Sequence, residues 1–213
     1  MAQEEHILAV GDIHGSYDRL ERVLQELVPS LPPATRLVFL GDYIDRGPDS
    51  RQVLESLIRL KSERPDTVFL LGNHERMLLE VREGRDLLLW SVNGGSQTMA
   101  SYGLSFRRIK DIPAEHIDFL SSLTLYHQSG DYIFVHAGLR PGVLLAQQEE
   151  RDLLWIRESF FLAEPTWEGT VVFGHTPFST PFQRPGLIGI DTGAVYNNVL
   201  TCLKLPERKF HHF

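Results

Sequence analysis

The chain has 213 residues, 42% of them hydrophobic and 23% charged, with a formal net charge of −7. This balance fits one globular core and excludes a disordered chain, and the acidity argues against nucleic acid or an anionic membrane as partner. The single cysteine, Cys202, excludes an intramolecular disulfide and fits a reducing cytoplasm; the acidic start Met1–Glu5 lacks the basic stretch of a secretory leader, and no apolar run reaches membrane-spanning length.

In chain order, residues 7–10 (Ile-Leu-Ala-Val) predict a buried strand. Residues 17–28 follow with Leu20, Val23, Leu24, Leu27 and Val28 at helical spacing. The strand signal repeats at 37–40, and 49–61 predicts a helix with Val53, Leu54, Leu57 and Ile58 on one face, entered after Pro48. Residues 67–71 predict a third strand. A largely helical stretch is expected from 75 to about 102, interrupted near Gly94-Gly95, and Pro113 opens a helix that turns Ile117, Leu120 and Leu123 inward. Residues 124–128 and 131–136 predict a hairpin across Ser129-Gly130, and 151–162 a helix. Further strands are expected near 170–174, 187–191 and 198–205. This β-α-β alternation giving way to strands predicts an α/β sandwich of mixed sheets, one domain over 1–213.

Five of the predicted strands run directly into polar clusters. These are Gly11-Asp12-Ile13-His14-Gly15, Gly41-Asp42-Tyr43-Ile44-Asp45-Arg46-Gly47, Gly72-Asn73-His74-Glu75, His136-Ala137-Gly138 and Gly174-His175-Thr176. Ligands bind at the carboxyl ends of strands in α/β folds, so five such ends can converge on one point. Singly, each aspartate reads equally well as a turn residue and each histidine as a core residue; the repetition favours a site. Asp12, His14, Asp42, Asn73, His136 and His175 together offer oxygen and imidazole ligands, a mixture that suits two ions of manganese, iron or zinc. The lone cysteine excludes a Cys-type zinc site.

On these five motifs the chain resembles the PPP branch of the calcineurin-like metallophosphoesterases, a β-sandwich of mixed sheets flanked by helices. The segment Trp90…Asn93-Gly94-Gly95 is similar to that of the bacterial and bacteriophage lambda-type members. The resemblance implies that Asp12 and His14 bind one metal, that Asp42 bridges both, and that Asn73, His136 and His175 complete the second site. It implies His74 as general acid with Asp45 orienting its imidazole. It implies Arg46 and Arg157 as phosphate-binding groups beside Asn73, with Arg140 competing for the place of Arg157. Glu75 is then a partner of the backbone or of an arginine rather than a ligand.

Outside the motifs, Asp191-Thr192-Gly193 is either a plain turn or a contributor near the site. Leu87-Leu88-Leu89-Trp90 is either core or a wall of the cleft. His6, His116, His127, His211 and His212 receive no catalytic role. The expected activity is metal-dependent phosphomonoester hydrolysis. Its leading form is a serine/threonine protein phosphatase with two divalent ions, manganese first, and direct in-line attack by a metal-bridging hydroxide. A symmetrical dinucleoside tetraphosphatase, or another small-molecule phosphatase, is the alternative; it is ranked second because little chain remains for a nucleotide-specific subdomain. A catalytically inactive binding protein on the same scaffold is the third reading, disfavoured because every ligand position is filled.

Overall fold

The structure, a computed structural model, describes residues 5–213. The acidic residues 1–4 invoked above lie outside that range. Ile7–Val10 (β1), Arg36–Phe39 (β2) and Val68–Phe69 (β3) run parallel, in the order β1-β2-β3. Tyr126–Ser129 (β4) and Tyr132–Val135 (β5) form the expected hairpin, and β5 pairs in parallel with Thr170–Phe173 (β6), which pairs in parallel with Leu187–Gly189 (β8). Phe182–Arg184 (β7) closes the edge beyond β8. Thr201–Leu205 (β9) lies antiparallel to β1, with Lys209–His212 (β10) outside it. The result is two five-stranded mixed sheets, β10-β9-β1-β2-β3 and β4-β5-β6-β8-β7.

The inner strands read as continuous apolar runs because both of their faces are buried. Ile7, Ala9, Val38, Leu40 and Leu203 of one sheet face Phe134, Val172 and Ile188 of the other. Leu8, Val10, Leu37 and Phe39 point the other way. They meet a helical layer that includes Tyr17–Arg22 (α1), Ser50–Glu63 (α2), Asn73–Arg82 (α3) and Ala114–Ser121 (α6). On the far side Ile133, Val135, Val171 and Phe173 pack against Leu153 of Glu150–Trp155 (α7) and Phe160 and Phe161 of Glu158–Phe161 (α8). Each such side chain contributes about 1.5–3 kcal/mol on full burial, so truncating Phe39 or Phe134 opens a void in the middle of a layer.

Several expectations change. The helical stretch expected from 75 to about 102 is interrupted near Gly94 as expected, and a further break after α3 makes it three pieces: α3, Leu87–Trp90 (α4) and Ser96–Ser101 (α5). Gly84 and Gly94 sit between them in the left-handed region, at φ 91° and 105°, which glycine enters without penalty. The helix expected over 151–162 breaks at Ile156 (φ −63°, ψ 145°) and Arg157 (φ −132°, ψ −114°). Extending the chain there lets Ile156 join the outer apolar cluster while α7 and α8 bury their own apolar faces. The strands expected at 187–191 and 198–205 are shorter. β7 and β10 were not expected, because an edge strand with one exposed face carries no apolar run.

Candidate metal centre

The ends of β1, β2, β3, β5 and β6 bring all five polar clusters to one pole of the sandwich. The amide of His175 donates to Asp12 Oδ2 (3.0 Å), and the amide of His74 to Asp42 Oδ1 (3.2 Å). Close approach requires glycine here: a Cβ on Gly72 would stand 2.2 Å from Asp42 Oδ1, and one on Gly174 2.1 Å from Asp12 Oδ1. The backbone is also strained. Five of the eight non-glycine residues with positive φ among those described are His14, Asp42, Asp45, Arg46 and His175. Such conformations cost on the order of 1–3 kcal/mol each and persist where surrounding contacts enforce them.

Asp12, His14, Asp42, Asn73, His74, His136 and His175 are each at most 5% exposed. Asp42 lies at the centre. His14 Nε2 is 3.3 Å from its Oδ2, and His136 Nε2 is 3.4 Å from its Oδ1. Two groups, His14–Asp42–His74 and Asp42–His136–His175, each bring three potential ligand atoms within 4.8 Å of one another. Asn73 Oδ1 sits 2.9 Å from both His136 Nε2 and His175 Nδ1. Asp42 thus belongs to both groups. Asp12 is not in the first trio, but its Oδ1 is buried without a hydrogen-bond partner.

Donor chemistry fits cations. Burial and the charges of Asp191 and Asp42 push the Asp12 carboxyl well above its usual range. Burial also acts on Asp42, but the neighbouring His136, His74 and His14 carry it well below. Burial holds His136 below the ordinary imidazole value, and burial with the adjacent His136 pushes His175 down to about 2. Neutral His136 donates its Nδ1 proton to Leu40 O (2.8 Å), so its Nε2 lone pair faces Asn73 Oδ1 and Asp42 Oδ1 with no proton between them. His14 is held likewise, Nδ1 to Ile44 O at 2.8 Å. Lone pairs that converge in this way suit a divalent ion.

His74 is held differently. Its Nδ1–H donates to Asp45 Oδ2 at 2.7 Å, and its buried Nε2 has no partner. Asp45 is clamped in turn by Trp90 Nε1–H on Oδ2 (2.8 Å) and Thr98 Oγ1–H on Oδ1 (2.6 Å), while its own amide donates to Thr98 Oγ1 and Ser50 Oγ. Trp90 is therefore core, as one reading of its segment had it, and also a support of the site. Its neighbours Leu87, Leu88 and Leu89 are exposed. Nothing in the sequence marked Thr98 or Ser50.

Glu75 ties the loops together. Its carboxylate accepts from the amides of Gly72 (3.0 Å), Asp42 (2.9 Å), Tyr43 (2.8 Å) and Ile44 (3.2 Å). Burial and the Asp42 charge push its pKa up to about 8, against the pull of the Ile44 and Tyr43 amides. Asp191 is also buried here, close enough to Asp12 for its charge to raise the Asp12 carboxyl, and accepts from the Gly193 amide at 2.9 Å. Of its two readings, the one near the site agrees with this placement.

The arginines separate. Arg46 donates to His14 Nε2 and lies over the Tyr196 ring, 5.8 Å from its centroid. Arg157 stands exposed in the break between α7 and α8, near enough to His175 to lower its pKa. Arg140 is engaged in a two-pronged pair with Asp152, at 2.6 and 2.8 Å.

The family described as calcineurin-like phosphoesterase matches residues 5–198. A bis(5'-nucleosyl)-tetraphosphatase PrpE [asymmetrical] of Oceanobacillus iheyensis is 29% identical over 94% of this chain and 89% of its own. Among solved structures, a putative diadenosine tetraphosphatase superimposes with a TM-score of 0.74 at 24% identity, over 100% of this chain and 94% of that one. A protein serine/threonine phosphatase from Saccharomyces cerevisiae superimposes with a TM-score of 0.66 at 16% identity, over 100% and 80%. The two structural likenesses concern the fold.

Proposed function

Because this chain belongs to the calcineurin-like phosphoesterase family, we propose that it is a metal-dependent hydrolase of small nucleotide-type phosphate compounds, with a dinucleoside tetraphosphate as substrate. The observation that carries the substrate class is the near full-length similarity to proteins named as asymmetrical bis(5'-nucleosyl)-tetraphosphatases. This reverses the order of the two readings taken from sequence and replaces the symmetrical cleavage of the second with an asymmetrical one. The sequence ranks a phosphoprotein first because little length remains for a nucleotide-specific subdomain, yet relatives with that name align along 89% of their own length. The bond cleaved is proposed to be asymmetric, giving a nucleoside mono- and triphosphate.

In this reading Asp12, His14 and Asp42 would hold one divalent cation, and Asp42, Asn73, His136 and His175 would hold the other; manganese is the proposed ion. Bound there, the cations supply Lewis-acid polarisation of the phosphoryl group and an acidified water. Arg46, with Arg157 at the opposite flank, grips non-bridging phosphate oxygens through planar donor forks; the pairing of Arg140 with Asp152 favours Arg157 for that role. His74 is the proton donor. Its Nδ1–H is held by the Asp45 carboxylate and its Nε2 has no partner, whereas His14 and His136 set Nδ1 on backbone carbonyls and turn Nε2 toward Asp42. His74 Nε2 passes its proton to the leaving oxygen while Nδ1–H stays on Asp45. Transfer is direct to water, so rapid quench should trap no phosphoprotein intermediate.

The deciding experiment compares manganese-loaded protein on diadenosine tetraphosphate and on a serine phosphopeptide, with product analysis. Cleavage of the dinucleotide to AMP and ATP is expected, at a kcat/KM well above that for the peptide. Preference for the phosphopeptide would restore the protein-phosphatase reading, and two molecules of ADP would refute the asymmetric bond.

A further inference from the structure

We propose that Tyr196 and Trp155 are aromatic shelves that receive the nucleobases of the substrate beside the two ligand groups of the metal centre. The proposal rests on the nucleotide reading above and names the residues that would enforce it.

Among the described residues, three aromatic side chains are exposed: Tyr126, Trp155 and Tyr196. Tyr126 stands on the edge strand β4. The other two touch the site. Tyr196, 57% exposed, ends the helical turn Ala194–Tyr196 and lies beneath the guanidinium of Arg46, which itself reaches His14. Trp155, 37% exposed, ends α7 and meets the His175 ring edge-on, with centroids 6.0 Å apart, two residues before Arg157. His14 and His175 belong to different ligand groups that share Asp42. Each ligand group therefore has beside it an arginine and an exposed aromatic side chain.

A dinucleoside polyphosphate has the complementary layout, two planar bases joined by a polyanion. Large aromatic rings left in water next to buried charge gain little from one another; a base that stacks on them recovers the apolar contact, and the adjacent guanidinium takes the phosphate. Stacking tolerates any base, so this arrangement selects nucleotides over simple phosphate esters without reading base identity.

The test uses manganese-loaded full-length protein and its Tyr196→Ala, Trp155→Ala, Tyr196→Phe and Trp155→Phe variants on diadenosine tetraphosphate and p-nitrophenyl phosphate. Each alanine variant should raise KM for the dinucleotide about tenfold relative to any change on the aryl phosphate, the scale of one lost base–aromatic stack. Referring one substrate to the other removes whatever the change does to Arg46 or His175. The phenylalanine variants should restore most of the loss, and inhibition by AMP should weaken in the alanine variants by more than inhibition by inorganic phosphate. Equal shifts on both substrates in both alanine variants would overturn the shelves while leaving the nucleotide reading intact. A wild-type protein that hydrolyses the aryl phosphate but no dinucleotide would overturn that reading, and the shelves with it.

Discussion

The two poles of the sandwich differ in chemistry more than in shape. At the amino ends of β1, β5 and β6 lies an open cavity of about 810 Å³, lined by Glu5, Ile7, Tyr132, Thr170, Pro206 and Arg208 among others. Its ionisable groups are exposed, and Glu5 is paired with Arg36 and Ser129. At the carboxyl ends there is far more unmet chemistry. Buried carboxylates and imidazoles crowd together, Asp12 Oδ1, His74 Nε2 and His175 Nε2 lack partners, and five residues hold left-handed backbone. Polar atoms held in costly positions without partners mark the functional end, because a fold retains such positions where something else satisfies them.

The contrast can be broken most directly at Asp42, the group common to both ligand sets. Asp42→Asn should lower turnover on the order of 10³-fold or more, and metal analysis should find both ions depleted together; loss of only one would refute the bridging role. His74→Asn should keep its metals and lose roughly 10²–10⁴-fold on alkyl phosphates, with a smaller loss on aryl phosphates, whose leaving oxygen needs no proton. Thr98→Val and Trp90→Phe should repeat that leaving-group pattern more weakly, since each removes one of the donors that fix Asp45. A uniform loss on all substrates would make them structural only.

Stability should show the same polarity. Glu75→Ala strands four buried amides, each worth about 1–3 kcal/mol when unsatisfied, so denaturant unfolding should register a loss of several kcal/mol. Removing metal with a chelator should lower Tm by roughly 10–20 °C, as expected for two ions each present near a hundred times its Kd in a domain of this size. The smallest effect belongs to the other pole: Arg208→Ala should change stability by less than about 1 kcal/mol and leave turnover unchanged. A large loss of activity there would end the distinction between the poles.

Much of the site was legible because its signals are local. A strand buried on both faces is an apolar run, and the candidate residues follow it within a few positions, so Asp12, His14, Asp42, Asn73, His74, His136 and His175 could be picked out once five such motifs recurred. The glycines that permit close approach, Gly72 and Gly174, sit in the same motifs. What stayed hidden depends on segments distant in the chain. The clamp on Asp45 comes from Trp90 and Thr98, Asp191 arrives beside Asp12 from the far end of the chain, and β7 and β10 have one exposed face and hence no apolar run. Arg140 and Arg157 look alike in sequence; only the placement of Asp152 distinguishes the engaged arginine from the one standing near His175. The chain by itself thus determined the fold class and the kind of chemistry, because hydrophobic pattern and ligand type are properties of short stretches. Tertiary structure decided which groups are held, clamped or left open, because hydrogen bonds and charge pairs form between residues that only the folded backbone brings within 3 Å.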